Sequence, residues 1–295
     1  MSFFHTIVNS GVDLRYRYGR LRLARKRASW ELDCIVEAGF VDDYIMAYWM
    51  FRSCADGKGI AFWGRGAMCS SVICYAIGLT EVDPLRFNLH SERFVNNEPP
   101  RFQFDIDASR MEEFKEEMKS ILEENDDYFG IPPKVESILS ETTAMGYLGN
   151  KKKKRISIDL NDEMIRYALS FPGTEDLLDM YEYREGGVKA CGYEPLDEIL
   201  SDTRGLLVYQ EQMLDILKKV FGVPCIEANV IRRFIQRGDE KQVEGYKDRW
   251  MSKVKETDRR NAELAWNVLV SNPKAFLKAH AASRVLASHY YNCKI

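Results

Sequence analysis

Two aspartates separated by one residue are the first feature of this sequence with the spacing of a metal site. They lie in RFQFDID (101–107) as Asp105 and Asp107. Residues i and i+2 of a β-strand share a face, so the two carboxylates would lie side by side, opposite Phe104 and Ile106. Adjacent carboxylates make each other costly to ionise, and a hard cation such as Mg²⁺, which prefers oxygen ligands, offsets that cost. The alternative is an amphipathic edge strand with a solvated acidic face.

A glycine turn precedes this strand in the sequence. WGRG (63–66) places Gly64 and Gly66 on either side of Arg65. A glycine turn that opens a helix presents backbone N–H groups and the positive end of the helix dipole, which suit phosphate, and Arg65 adds a cation. A phosphate-binding turn followed by a metal-binding strand is the arrangement that a nucleotidyl-transferring palm domain requires.

The charge of the chain is nearly balanced overall but uneven along the sequence. The 295 residues carry a net charge of −3, with strongly basic runs at 15–27 and 151–155 and a strongly acidic run at 112–127. A basic patch on a near-neutral protein can follow a phosphate backbone, which predicts nucleic acid as a partner. Each run by itself is also typical of a solvated helix face or loop.

The cysteines and the apolar segments indicate a cytoplasmic protein. The chain has seven cysteines and no C-x-x-C pair, so neither a zinc site nor a disulfide framework is indicated, and free thiols fit a reducing compartment. The first residues, MSFFHTIVNSG, lack the features of a secretory signal. The longest apolar stretch, around YIMAYWMF (44–51), is too short to span a bilayer, and we expect no membrane partner.

The order of predicted elements indicates an α+β fold. The first part combines helices at 20–38, 42–56 and 109–125 with a strand, glycine turn and helix at 60–77 and the strand 101–107. IPPK (131–134) is a break, and beyond it the pattern is mainly helical, for example at 209–221, 227–236 and 258–270. We therefore expect one domain at 1–130 and a second, mainly helical domain at 131–295.

Several stretches repeat the motifs of one family, in family order. Besides RFQFDID, they are 39–96, with its glycine-arginine-glycine turn, SETTAMGYL (140–148), SFPGT (170–174), LLVYQEQMLDIL (206–217), IRRFIQRGDE (231–240) and FLKAHAASRVLASHYY (276–291). Together they resemble the bacterial DNA polymerase III alpha subunit, which represents the C-family of DNA polymerases. The likeness covers most of residues 30–291 and implies a nucleotidyltransferase-like palm with a mixed sheet, followed by a fingers-like region.

The resemblance also implies roles for individual residues. It makes Asp105 and Asp107 catalytic metal ligands and gives a nucleotide-binding role to seven residues: Gly64, Arg65, Gly66, Arg232, Arg233, Lys278 and His280. The family has a third catalytic carboxylate, for which the best candidate is Asp127 in DDYFGI, with Asp159 as the second choice. From the residues alone, Arg232 and Arg233 could equally be an exposed helix face, and His280 a helix-surface histidine.

Departures from the family pattern bear on activity. Ala67 stands where the family has serine after the second glycine, and SFPGT lacks the arginine of the family's fingers turn. The segment after Asp107 is too short for the family's thumb, and we expect the N-terminal phosphoesterase, clamp-binding and oligonucleotide-binding regions to be missing.

The resemblance implies a minimal DNA-directed DNA polymerase, encoded by a bacterium or a phage, that uses Mg²⁺ or Mn²⁺. Its expected partners are a nucleoside triphosphate, a DNA primer-template or other nucleic acid, and a replication protein. One alternative is an inactive relative that binds DNA, nucleotide or such a protein. Another is an unrelated α/β protein with coincidental motifs.

Overall fold

The computed structural model describes residues 2–124, 142–145, 159–184 and 191–291. Contacts group the chain into two compact units, Met1–Ile156 with Ala282–Ile295, and Ser157–Ala281. This division differs from the predicted boundary after residue 130, and IPPK (131–134) lies outside the described residues. The α+β fold class is confirmed.

The described part of the chain is mostly helical. Its α-helices are α1 Ser2–Arg15, α2 Leu21–Glu37, α3 Val41–Lys58, α4 Val72–Ala76, α5 Met111–Glu124, α6 Leu160–Ala168, α7 Glu175–Tyr183, α8 Glu194–Leu200, α9 Gln210–Asp215, α10 Cys225–Arg237, α11 Glu240–Met251, α12 Arg259–Ser271 and α13 Lys278–Tyr291. Its strands are β1 Phe62–Arg65, β2 Gln103–Asp107 and β3 Thr142–Met145. No described helix is long and apolar enough to cross a membrane.

Local sequence explains where the helices next to the sheet begin and end. Asp42 and Asp43 lie in the first turn of α3, where negative charge is favourable at the positive end of the helix dipole. Gly59 ends α3 with a φ of +63°, a left-handed conformation that glycine adopts without strain. On α5, Phe114, Met118 and Ile121 are buried at helical spacing, while Glu112, Glu113 and Glu116 are exposed.

The described strands form one mixed sheet in the order β1-β2-β3. β1 pairs with β2 antiparallel, with Trp63 opposite Asp105 and Arg65 opposite Gln103. β3 pairs with β2 in parallel, which places Thr143 opposite Asp105. β3 lies in SETTAMGYL, which the resemblance assigned to the fingers, whereas its pairing places it in the first unit.

One face of the sheet packs on an aromatic core. Phe104 stacks on Phe51 of α3 with ring centroids 3.5 Å apart, and Phe62 and Phe114 complete the cluster. These rings are large apolar surfaces whose burial is a main source of stability. The core fixes β2 between its neighbours, and the opposite face carries Asp105 and Asp107 together with the buried Trp63 of β1.

The second unit has its own helical core, which includes Trp266, Leu214 and Ile231. Gln212 of the YQEQ motif holds the start of α9. Its Oε1 accepts hydrogen bonds from the backbone N–H groups of Val208 and Tyr209, at 2.9 and 2.8 Å. This glutamine therefore stabilises the helix locally, as a side chain at a helix start commonly does.

Candidate active site

The polar face of β2 carries the two aspartates that the sequence placed together. Strand pairing puts Asp105 and Asp107 on one face, with Arg65 of β1 beside them, and Phe104 and Ile106 on the other. The predicted alternation is confirmed. The alternative of a solvated edge strand is wrong, since β2 is the central strand and the two aspartates are only 1% and 5% exposed.

Asp105 is held between two arginines. Arg65 donates from Nε to Oδ1 at 3.0 Å, and Nη1 of Arg284 lies 3.2 Å from Oδ2. A buried carboxylate without a partner would be strongly destabilising, so the two guanidiniums explain how Asp105 remains inside the fold. Arg284 belongs to the part of α13 that packs in the first unit.

Sequence reasoning did not single out Arg284. The sequence does contain one signal. Among residues 279–293 (AHAASRVLASHYYNC), Arg284 is the one Asp, Glu, Lys or Arg. A lone arginine in an otherwise apolar helix needs an acceptor, because burying its charge unpaired is costly. Only tertiary contact shows that this acceptor is Asp105.

Asp107 has a local partner at the end of β2. Its Oδ1 accepts from the backbone N–H of Ser109 at 2.9 Å and from the Ser109 hydroxyl at 2.7 Å. This arrangement caps the turn Ala108–Arg110 that leads into α5. The Asp107 side chain is thus fixed in direction before any ligand binds.

The donor chemistry of this pair fits a hard divalent cation. Carboxylate oxygens are the ligands that Mg²⁺ and Mn²⁺ prefer, and both aspartates are held on one buried strand face. A cation there would replace the charge that Arg65 and Arg284 supply to Asp105. Within the described ranges, no group of three His, Cys, Asp or Glu side chains could hold a metal.

Of the two candidates for a third carboxylate, only Asp159 lies among the described residues. Asp127 lies outside the described residues. Asp159 is an exposed residue of the second unit that caps α6, accepting from the N–H groups of Asn161 and Asp162 at 3.1 and 3.0 Å. Its geometry is that of a helix cap. A third ligand stays a prediction.

Both glycines of WGRG are required by the backbone. A Cβ on Gly64 would lie 2.1 Å from the carbonyl oxygen of Leu79, a contact that no larger residue could make. Gly66 has a φ of +73°, in the left-handed region, and begins the 3₁₀ turn Gly66–Ser70. Together they set the direction in which Arg65 leaves β1.

The carbonyl of Gly64 is a hydrogen-bond hub. It accepts from the Ser283 hydroxyl at 3.1 Å, the Cys69 thiol at 3.3 Å and the Thr80 hydroxyl at 3.5 Å. Burial raises the pKa of Cys69 to about 12, so it stays a neutral donor. The indole of Trp63 donates to Ser283 Oγ at 2.9 Å, which ties β1 to the same part of α13 that carries Arg284.

The helix that follows the turn does not offer its N-terminus to a ligand. The buried carboxylate of Glu31 on α2 accepts from the N–H groups of Val72 and Ile73 at 3.1 and 3.0 Å and from the Ser71 hydroxyl at 2.7 Å. Arg27 pairs with Glu31 at 3.2 Å. Glu31 therefore occupies the site that the sequence offered to phosphate, and any phosphate contact at the turn depends on Arg65 and Gly66.

The residues assigned to the fingers occupy different environments within the second unit. Arg232 is only 4% exposed, and its guanidinium donates to Asn229, Gln236 and Gln210, the last at 3.2 Å. Gln210 belongs to the YQEQ motif, so Arg232 connects α10 to α9. This contact network is a structural role that the resemblance did not predict.

The remaining three residues assigned to the fingers are Arg233, Lys278 and His280, all half-buried. Lys278 begins α13, where its backbone N–H donates to Glu211 at 2.9 Å and its ammonium lies 5.5 Å from the centre of the Tyr209 ring. The ring of His280 packs against Phe276 with centroids 5.7 Å apart.

Curated relatives match a part of the chain. It is 35% identical over 115 residues to the error-prone DNA polymerase of Pseudomonas aeruginosa, covering 38% of this chain and 11% of that protein. The error-prone DNA polymerases of Anaeromyxobacter dehalogenans and Methylococcus capsulatus are 35% and 31% identical over 119 and 116 residues, again covering 38% of this chain and 10% and 11% of those proteins. The matched segment therefore spans about a tenth of each relative.

Family models match more of the chain, in two segments. Residues 2–129 match the bacterial DNA polymerase III alpha NTPase domain, and residues 151–258 match the bacterial DNA polymerase III alpha subunit finger domain. Both models describe one protein, and they match in the order that the sequence motifs indicated. The chain therefore belongs to the bacterial DNA polymerase III alpha family.

Proposed function

We propose that this chain is a DNA-directed DNA polymerase that transfers a nucleotidyl group from a nucleoside triphosphate to a primer. The observation that carries the proposal is the buried pair Asp105 and Asp107 beside Arg65 on the polar face of β2. Apolar residues often serve stability as well as a buried ion pair does. Two carboxylates at a buried strand position, next to an arginine, are therefore better explained by ligand chemistry.

The proposal gives each residue of this cluster a separate task. Asp105 and Asp107 would hold Mg²⁺ or Mn²⁺. When bound, such a cation lowers the barrier by stabilising negative charge on the attacking hydroxyl and the leaving pyrophosphate. Arg65 would bind the triphosphate, because its planar guanidinium can donate two parallel hydrogen bonds to phosphate oxygens. Gly64 and Gly66 fix the direction of Arg65, while the Ser109 bonds hold Asp107.

In the second unit, we assign nucleotide contacts to Arg233, Lys278 and His280. Their side chains are half-buried, so part of each is accessible to a ligand. Arg232 would act on nucleotide binding indirectly, by fixing Gln210 at the start of α9. These assignments come from the family motifs.

Primer extension tests the proposal. We expect the purified chain to add one or a few deoxynucleotides to a primed template for each binding event, with Mg²⁺ or Mn²⁺, when a DNA trap captures released enzyme. Short products are expected because electrostatic contacts to phosphate dissociate easily at physiological salt. Long products from one encounter with the purified chain would contradict this expectation.

An inactive, ligand-binding relative is the second candidate function. The observation in its favour is that Arg65 and Arg284 already neutralise Asp105. Measurable triphosphate and DNA binding without incorporation, with either metal, would support this candidate and overturn the first. Incorporation that is lost in Asp107→Asn would exclude it.

The described basic face for DNA is narrower than the basic run 15–27. Arg15 and Arg27 point inward, to Glu81 and to Glu31, whereas Arg22 and Lys26 are exposed on α2. Trp30, one turn further along α2, is 43% exposed and could stack on a base. The second basic run, 151–155, lies outside the described residues.

We expect the double substitution Arg22→Ala/Lys26→Ala to weaken DNA binding and its salt dependence. Each lost phosphate contact should make the slope of log K against log salt less steep by about 0.9 for duplex DNA. The slope of the double variant should therefore be less steep than that of wild type by about 1.8. Fluorescence anisotropy over a range of salt concentrations measures this slope. Lys115→Ala/Lys119→Ala, with the same spacing on acidic α5, is the matched control. Equal slopes in all three proteins would remove α2 from the interface.

A further inference from the structure

The two ion pairs of Asp105 differ in how firmly they are held. Arg65 leaves the sheet beside Asp105, and its side chain is 12% exposed. Arg284 reaches Asp105 from α13, and its side chain is 26% exposed. Arg284 is thus the more accessible partner, and its long side chain can move while α13 stays in place.

A divalent cation and Arg284 would compete for one carboxylate. The cation and the Arg284 guanidinium would each place a positive charge next to Asp105, whose side chain is almost completely buried. Charges a few ångströms apart interact strongly in such a site, so a bound cation would repel a guanidinium held 3.2 Å from Oδ2. Metal binding therefore requires Arg284 to leave Asp105.

A nucleoside triphosphate would provide Arg284 with a new partner. Its phosphates bring several negative charges to the same face of the sheet, and a guanidinium matches phosphate oxygens in a two-bonded geometry. We propose, on the basis of the proposed function, that Arg284 is a residue of the nucleotide site. It pairs with Asp105 in the metal-free protein and binds triphosphate oxygens when a cation holds Asp105.

This exchange makes a prediction that a purely structural ion pair does not make. If Arg284 only stabilises the fold, its removal reduces the apparent binding of every ligand together, in proportion to the loss of folded protein. If it exchanges partners, its removal eliminates a competitor of the metal and a ligand of the triphosphate. The two affinities then change in opposite directions.

The test uses Mn²⁺ and a non-hydrolysable deoxynucleoside triphosphate as probes, with binding to the full chain measured by calorimetry. For Arg284→Gln, we expect Mn²⁺ alone to bind about tenfold more tightly, because a repelling charge is gone. We expect the analogue, at saturating Mn²⁺, to bind about tenfold more weakly, because charge-assisted hydrogen bonds are lost.

Two further variants control for charge and for folding. Arg284→Lys keeps the positive charge but not the two-bonded geometry, so Mn²⁺ affinity should stay within about twofold of wild type and analogue affinity should fall several-fold. Arg25→Gln removes an arginine from an exposed ion pair, with Asp13 at 2.9 Å, and should change neither constant. Circular dichroism melts report the folded fraction of each variant.

Unchanged constants in a folded Arg284→Gln, or a parallel loss of both, would overturn the inference and leave the proposed function intact. If Arg284→Gln does not fold, analogue affinity unchanged in Arg284→Lys would overturn it in the same way. A wild-type chain that binds neither Mn²⁺ nor the analogue would instead refute the proposed function, and the inference with it.

Discussion

Asp107→Asn is expected to reduce nucleotide incorporation by about 10³-fold while leaving the fold intact. A metal ligand contributes several kcal/mol to transition-state stabilisation, and about 4 kcal/mol corresponds to that loss in rate. The asparagine keeps an Oδ1 that can accept from the N–H and the hydroxyl of Ser109, so the cap after β2 survives. Single-turnover incorporation and Mn²⁺ calorimetry measure the two losses.

Asp105→Asn should lose Mn²⁺ binding as well, but with a stability cost that Asp107→Asn does not show. It removes the negative charge that faces both Arg65 and Arg284 in a largely buried site, and with it two buried ion pairs. Thermal melts separate this effect from the loss of a ligand. Asp33→Asn, at an exposed position on α2, is the matched control and should behave as wild type. Mn²⁺ isotherms identical to wild type in both β2 variants would refute the metal site.

Glu31→Ala is expected to lower the free energy of unfolding by about 3–5 kcal/mol, the second large effect. The substitution strips Arg27 of its buried partner and leaves the Val72 and Ile73 N–H groups and the Ser71 hydroxyl without an acceptor. Since whole domains are stable by only about 5–15 kcal/mol, this loss can unfold the first unit. Urea denaturation followed by tryptophan fluorescence measures it.

The control for this experiment lies on the same helix. Glu37 is exposed at the end of α2, and Glu37→Ala should change stability by less than about 0.5 kcal/mol. A cost below about 1 kcal/mol for Glu31→Ala would show that its carboxylate is not needed at the start of α4. The helix N-terminus would then again be a candidate for phosphate.

Local periodicity predicted the elements that present the candidate site. The alternation of RFQFDID was sufficient to place Asp105 and Asp107 on one strand face, and Gln103–Asp107 is that strand. WGRG was predicted to be a turn throughout, but Trp63, Gly64 and Arg65 belong to β1, and the turn begins only at Gly66. Helix α2 lies within one residue of the range expected from its apolar spacing. Such features depend on neighbours in sequence, so sequence reveals them.

Environment was harder to predict than conformation. An acidic strand face can be solvated or buried with the same alternation, and only the packing over that face, where Arg284 of α13 reaches Asp105, decides that it is buried. Arg232 likewise lies on a helix that sequence predicted. Its burial among amide side chains, however, depends on how α10 packs against α9. Periodicity carries no information on the partner of a polar side chain.

The sequence by itself determined the family, the strand that carries two carboxylates, and the glycines on either side of Arg65. The tertiary structure decided that Arg284 pairs with Asp105 and that Glu31 takes the helix N-terminus proposed for phosphate. Motif order and side-chain periodicity depend on short stretches of sequence, whereas the two partners of a buried ion pair are brought together by tertiary packing. A buried charge must find a partner, and which of many distant residues supplies it depends on the packing of whole helices against the sheet.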